Sequence, residues 1–317
     1  MRRCLYCYES LGEEGPEFHG NCSVRIFGSH NPPDLPYTED QMLHLAEEII
    51  KSQTSVTGAQ PKLSLHLEKL SRTGEPPRFT IVGLWGGYIL KPPTKQYRFL
   101  PELEDLTMHL AEIAGIEVVP HSLIRLSSGK LAYITRRIDR MNGIKIHMED
   151  MCQLTERLTE HKYNGSHEQI GKAILKYSAN PGLDIINFFE QVLFSFLTGN
   201  ADMHLKNFSL IDKPELGYML TPAYDMVASV LVVKGDDEEL ALTLNGKKKN
   251  IRKKDFLEPM ARFNIHAKAI ENLFNKLLIS AEKWHEFIDI SFLPEEMKIS
   301  YHEIIRERAE RIFVHST

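Results

Sequence analysis

The sequence predicts an α+β chain with a mixed, sheet-rich amino-terminal half and a mainly helical carboxy-terminal half. At about 150 residues per domain, 317 residues allow one large domain or two lobes. Between 52 and 90 the apolar period is two, with Leu63, Leu65 and Leu67 alternating with Ser64, His66 and Glu68. Beyond Met148 the pattern turns helical, and Ile185, Phe188, Phe189, Val192, Phe196 and Leu197 leave little polar face, as in a core helix. A natural partition is an amino-terminal Cys/His segment and linker at 1–36, a sheet-rich lobe at 37–147 and a helical lobe at 148–317.

Residues 4–28 read as a small appendage, and the proline-rich stretch 31–36, which cannot propagate a helix, reads as a linker. Thr38 with Gln41 forms a capping-box pattern, and Met42, Leu45, Ala46, Ile49 and Ile50 then recur at helical spacing to about Lys51. Strands follow at 63–67, 88–90 and 130–138, and an amphipathic helix over 102–114 stops at Gly115. Asp184 reads as the cap of the apolar helix. Short strands at 208–211 and ahead of Ala223 interrupt the helical half, and Pro294 is placed to start the last helix.

The balance of 38 Lys and Arg against 43 Asp and Glu argues against a surface basic all over, so direct nucleic-acid binding is not expected. The most apolar segment, 183–197, carries Asp184 and Glu190, so no membrane span is expected. Charged residues stand where a secretory signal needs an apolar run, so a cytoplasmic chain is expected. Cys152 reads as a buried apolar residue.

The chemistry concentrates at Gly199-Asn200-Ala201-Asp202-Met203-His204-Leu205-Lys206-Asn207, between the buried helix and a short strand. An Asp followed five residues later by an Asn is the arrangement of a phosphoryl-transfer loop. There the carboxylate accepts the proton of the attacking hydroxyl and the carboxamide holds a metal on the nucleotide phosphates. Eighteen residues beyond Asn207, Tyr224-Asp225 stands after a second strand, with Asp225 placed as the second metal-binding group. Each residue alone is a commonplace loop residue; the set of three is not. Upstream, Ser55-Val56-Thr57-Gly58-Ala59-Gln60-Pro61-Lys62 offers small and hydroxyl residues for close approach to a phosphate, and Lys91 ends a short strand from which it can reach the α and β phosphates.

Two further signals lie outside this set. Cys4-x-x-Cys7 and, eleven residues on, His19-x-x-Cys22 have the spacing of a four-ligand structural zinc site. The alternative is reduced thiols packed against the helical lobe. Lys247, Lys248, Lys249, Arg252, Lys253 and Lys254 form a basic run that reads either as a solvated loop or as a local docking patch for an acidic partner, for RNA bound to a substrate, or for DNA.

The order of Ser-Val-Thr-Gly-Ala-Gln-Pro-Lys-Leu, Ile-Leu-Lys-Pro, Arg-Arg-Ile-Asp-Arg, His-Met-Glu-Asp-Met-Cys-Gln, Asn-Ala-Asp-Met-His-Leu-Lys-Asn-Phe-Ser and Pro-Ala-Tyr-Asp-Met-Val resembles the HipA-like serine/threonine protein kinase toxins of bacteria over about 52–313. The resemblance implies a two-lobed protein-kinase-like fold using ATP and Mg2+. Asp202 would be the catalytic base, and Asn207 and Asp225 the magnesium ligands. Thr57, Gly58, Ala59, Gln60, Pro61 and Lys62 would cover the triphosphate, and Lys91 would contact it. Arg136, Arg137 and Ile138 would border adenine, with His204, Lys206 and Tyr224 also at the nucleotide. Ser55 and Thr57 fall on the hydroxyls that the family autophosphorylates, and a phosphate there would switch the kinase off. The length matches the compact HipT type without the extra amino-terminal subdomain, so HipS-like and HipB-like antitoxin proteins are the implied partners. An aminoacyl-tRNA synthetase is the implied kind of acceptor, with translation arrest as the consequence. Glu104, with Glu102 as the alternative, would pair with Lys91. A small-molecule or lipid phosphotransferase and a noncatalytic partner-binding module are the alternatives.

Overall fold

The computed structural model describes residues 2–42, 44–45, 62–68, 77–82, 86–141, 143–233, 235 and 237–314. The chain divides into two compact units. The first joins 1–105, 119–143 and 290–292; the second joins 106–118, 144–289 and 293–317.

The first unit is built on an antiparallel sheet of β1 (Leu63–Glu68), β2 (Arg78–Val82), β3 (Tyr88–Lys91), β4 (His121–Arg125) and β5 (Leu131–Arg136), in the order β2-β1-β3-β5-β4. The alternation read in β1 places Leu63 and Leu65 inside. Pairing of β3 with β5 sets Lys91 opposite Tyr133, so the lysine lies at the end of a buried central strand.

Residues 4–28 are no appendage. Leu5 O accepts Leu123 N at 3.2 Å and Ser122 Oγ at 3.0 Å, covering the outer edge of β4. Helix α1 (Gly20–Phe27) ends at Gly28 and places Phe27 against Phe18, Phe79 and Tyr88. The proline-rich stretch is likewise more than a linker. Asp34 pairs in parallel with Arg78, its N–H donating to Pro77 O at 2.9 Å and its O accepting from Phe79 N at 3.0 Å. Each edge of the sheet is therefore partly covered by chain from the amino-terminal stretch, which hinders pairing with another chain there. Thr38 and Gln41 form the reciprocal cap, and 39–42 and 44–45 are helical; the rest of the helix read to Lys51 lies outside the described residues.

Helix α2 (Leu100–Ile113) starts in the first unit and ends in the second, closing at Gly115 in the left-handed region (φ 70°), with Ile116 N on Ala111 O at 3.0 Å. In the second unit, α3 (Met151–Leu154), α4 (His167–Tyr177), α5 (Pro181–Leu197), α6 (Lys253–Arg262), α7 (Ala267–Asp289) and α8 (Glu295–Ala309) accompany a small antiparallel sheet. Its strands, β6 (Met148–Asp150), β7 (Ser209–Lys213) and β8 (Gly217–Leu220), run in the order β8-β7-β6. Helix α5 is the core element, with Phe188, Phe189, Phe194 and Phe196 fully buried and Phe194 edge-on to Trp284 at 5.4 Å. No helix among the described residues is long and apolar enough to cross a membrane.

One cap differs from the sequence expectation. Helix α5 begins at Pro181, where the missing N–H costs nothing, so Asp184 lies inside its first turn. There Asp184 is buried, and its Oδ2 accepts Ser178 Oγ at 2.6 Å and Leu220 N at 2.8 Å, tying the helix start to β8.

Candidate active site

The loop leaving α5 is shaped by its glycine. Gly199 takes φ 76°, and a Cβ there would stand 2.6 Å from Val230 Cγ2. Asn200 is buried and its Oδ1 receives Asp202 N at 3.2 Å, while Ser229 Oγ receives Ala201 N at 2.9 Å. These bonds fix the backbone on which Asp202 stands. Tyr163 donates its hydroxyl to Asp202 Oδ1 at 2.7 Å, which orients the carboxylate and leaves Oδ2 as its other acceptor.

Five residues on, Asn207 is buried, and its Nδ2 donates to the backbone O of Asp225 at 3.5 Å. The structure thus brings the two residues read as metal ligands side by side. Asp225 has a left-handed backbone (φ 59°), tolerated by Asp better than by most side chains. The strand leading to it is registered by Ala223, which pairs in parallel with Val118 and donates its N–H to Glu117 O at 2.8 Å. Asn207 Oδ1 and the Asp225 carboxylate are hard oxygen donors, a pair whose chemistry fits Mg2+ rather than a soft metal.

The Tyr224 hydroxyl bonds Ser209 Oγ at 2.6 Å and Lys206 O at 3.0 Å, fastening the Asp225 segment to the loop. Lys206 reaches Asp150 Oδ2 at 2.6 Å, and the same aspartate caps α3 through Oδ1 and Gln153 N. His204 is buried against Tyr163, and burial pushes its imidazole down to about 4, so it is neutral near pH 7. Tyr163 and Asp150 carry no spacing signal relative to the loop, although Asp150 falls within His-Met-Glu-Asp.

In the first unit, Lys91 and Glu104 are both buried and hydrogen-bonded to each other, and Lys91 also lies 5.4 Å from the centre of the Tyr133 ring. Glu104, not Glu102, is the partner. Burial instead pushes the Glu102 carboxyl up to about 7, and its Oε2 has no hydrogen-bond partner among the described residues. A carboxyl raised above its unfolded value of about 4.3 favours folding below that pH, and the contribution is lost as pH rises through the folded value. Glu102→Gln is therefore expected to stabilise the protein by roughly 3–4 kcal/mol at pH 8 and to change little at pH 4.5. Urea unfolding at the two pH values checks this; an equal effect at both would refute it.

Arg136 turns its guanidinium to Ile26 O at 2.9 Å, and Arg137 forms a two-pronged pair with Asp139 at 2.8 and 2.7 Å. Both side chains are held by the protein itself. Ile138, just past β5, is half-buried, and Lys62 is exposed just ahead of β1. Ser55, Thr57, Gly58, Ala59, Gln60 and Pro61 lie outside the described residues. In the basic run, Lys247, Lys248 and Lys249 pair with Asp255, Glu238 and Asp237, so much of that charge is locally balanced. Cys152 is buried, as read. Cys4, Cys7, His19 and Cys22 converge, their candidate ligand atoms all lying within 4.8 Å of one another.

The fold is the α+β, two-lobed protein-kinase-like fold of HipA. A solved complex of Shewanella oneidensis HipA with HipB and its operator DNA matches with TM-score 0.65 at 21% identity, covering 88% of this chain and 71% of that one. The chain belongs to the HipA-like C-terminal domain family, whose model matches residues 54–285. A putative kinase of Haemophilus influenzae is 26% identical over 84% of this chain and 83% of its own. The putative kinase Y4dM of Sinorhizobium fredii is 31% identical over 65% of this chain, and the serine/threonine-protein kinase toxin HipA of Shewanella oneidensis is 28% identical over 62%. The chain spans about half the length of these last two relatives, 53% and 47%.

Proposed function

We propose that the chain is an ATP-dependent serine/threonine protein kinase. The observation that carries this reading is the meeting of Asn207 with Asp225 on the loop that also bears an oriented Asp202, in a family whose relatives are named kinases. Magnesium, when bound, would neutralise charge on the transferring phosphoryl group, with Asn207 and Asp225 holding it. Asp202 takes the proton of the acceptor hydroxyl at Oδ2 while Tyr163 keeps Oδ1 in place. Lys206, held by Asp150, and neutral His204 line the same loop. Lys91, held by Glu104, and residues 57–62 contact the nucleotide phosphates, and Ser55 or Thr57 receives phosphate in self-regulation.

The acceptor is a protein, of which an aminoacyl-tRNA synthetase is the implied kind, and HipS-like and HipB-like proteins are the antitoxin partners. The test is phosphopeptide mapping of cells expressing the active chain or its Asp202→Asn variant. New phosphoserine or phosphothreonine on a discrete protein, and on Ser55 or Thr57, is expected only with the active chain. Labelled phosphate appearing solely on small molecules would favour a small-molecule phosphotransferase, and nucleotide binding without transfer a noncatalytic module.

A further inference from the structure

We propose that Cys4, Cys7, His19 and Cys22 hold one structural Zn2+ that locks the amino-terminal segment onto the sheet of the first unit. A tetrahedral site with Zn–S near 2.3 Å and Zn–N near 2.0–2.1 Å requires ligand atoms about 3.5–3.8 Å apart. Cys7 Sγ lies 3.4 Å and Cys22 Sγ 3.9 Å from His19 Nδ1, and all four ligand atoms fall within 4.8 Å of one another. The spacing matches a site shaped for an ion at its centre.

The surroundings are those of a metal site as well. His19 Nε2 lies 3.2 Å from Ser10 O, a bond that places the proton on Nε2 and turns the Nδ1 lone pair toward the three sulfurs. Cys4 Sγ accepts the backbone N–H of His19 at 3.4 Å. Cys4 and Cys7 sit on a tight turn closed by Tyr8 N on Cys4 O at 3.0 Å, with Tyr8 in the left-handed region (φ 64°). Cys22 stands in the first turn of α1, and His19, at its N-cap position, makes no side-chain cap bond. All three thiols are free, and three thiols cannot be satisfied by disulfide pairing alone. Three sulfurs and an imidazole on borderline-soft ligand geometry select zinc over magnesium or calcium.

The segment has little regular structure besides the eight-residue α1, so a four-point cross-link supplies what its own core cannot. The anchored residues then do structural work at the sheet. Leu5 covers the β4 edge, and Tyr8 is buried with its hydroxyl on Asp105 Oδ2 at 2.8 Å, next in sequence to Glu104.

The test is metal analysis of the full chain purified under reductant without chelator. Close to one zinc per chain is expected, unchanged in Cys152→Ala and falling below about a tenth in Cys22→Ser. Cobalt added to the metal-free wild type is expected to give the visible bands of a tetrahedral ion together with thiolate-to-cobalt charge transfer, and in His19→Ala the bands should shift. Because the wild-type zinc content and cobalt spectrum suffice, a variant that fails to fold leaves the test intact. Wild-type protein with less than about a tenth of an equivalent of zinc and no tetrahedral cobalt spectrum would overturn the proposal, as would full zinc retention by a folded Cys22→Ser variant.

Discussion

Asp202→Asn is expected to lower phosphoryl transfer by roughly 10²–10⁴-fold with the unfolding midpoint unchanged. The amide keeps an oxygen for the hydroxyl of Tyr163, which holds Oδ1 at 2.7 Å, and the loop backbone is fixed by Asn200 and Ser229 rather than by the carboxylate. What the variant lacks is a group that can accept the proton of the attacking hydroxyl. The measurement is transfer of labelled phosphate from ATP, to the chain itself and to proteins of a cell lysate, beside a thermal melt. A variant that transfers at a rate within a few-fold of wild type would remove Asp202 from the chemistry. Asp225→Asn makes a clean companion, because asparagine tolerates the φ of 59° found there, so its loss of activity would report charge rather than backbone strain.

The second large effect separates folding from catalysis at Lys91 and Glu104. Both are almost completely enclosed, at 4% and 2% exposure, so removing one partner leaves the other charge buried without compensation. Lys91→Met is expected to destabilise the protein by roughly 3–5 kcal/mol. The double variant Lys91→Met, Glu104→Met replaces the pair with apolar side chains and is expected to recover most of that loss, as apolar replacement of buried ion pairs commonly does. Phosphoryl transfer should not recover with it, since the double variant has stability but no cation for the nucleotide phosphates. Denaturant melts of the three proteins beside the labelled-ATP assay check this. A double variant as unstable as the single one would show that the pair's surroundings, not its charge balance, set the cost.

The parts of the site that lie close together in the chain were legible in the sequence. Asp202 and Asn207 share one loop, and a five-residue spacing survives as a pattern; Asp225 follows just past the next hairpin. The residues that hold this loop were not legible as such, because Tyr163 and Asp150 reach it from separate segments with no spacing or periodicity to mark them. Asp184 misled for a specific reason. A short polar residue ahead of an apolar run looks like a cap, yet Pro181 already starts the helix and the carboxylate serves β8 instead. The amino-terminal segment reads as an appendage in sequence because its apolar residues, Leu5, Tyr8, Phe18 and Phe27, are too scattered to show a period, although each is buried. The basic run had a visible counterweight in Asp237, Glu238 and Glu239 about ten residues earlier, and pairing between the two stretches follows from simple proximity in the chain.

The first unit is assembled from three stretches of chain, and its last stretch, 290–292, lies far beyond the second in sequence. Phe292 stacks edge-on against Tyr8 at 4.8 Å, and Ile290 O accepts Arg3 at 2.5 Å. A ribosome-bound chain ending near residue 143 would therefore hold its opening residues without the partners that seal them. The sheet can pair early, but the corner around Tyr8 waits for a closure between residues 8 and 292, a contact of high sequence separation that forms slowly. Any attempt to excise this half as an autonomous fragment has to carry the 290–292 strip along with it, or supply it in trans.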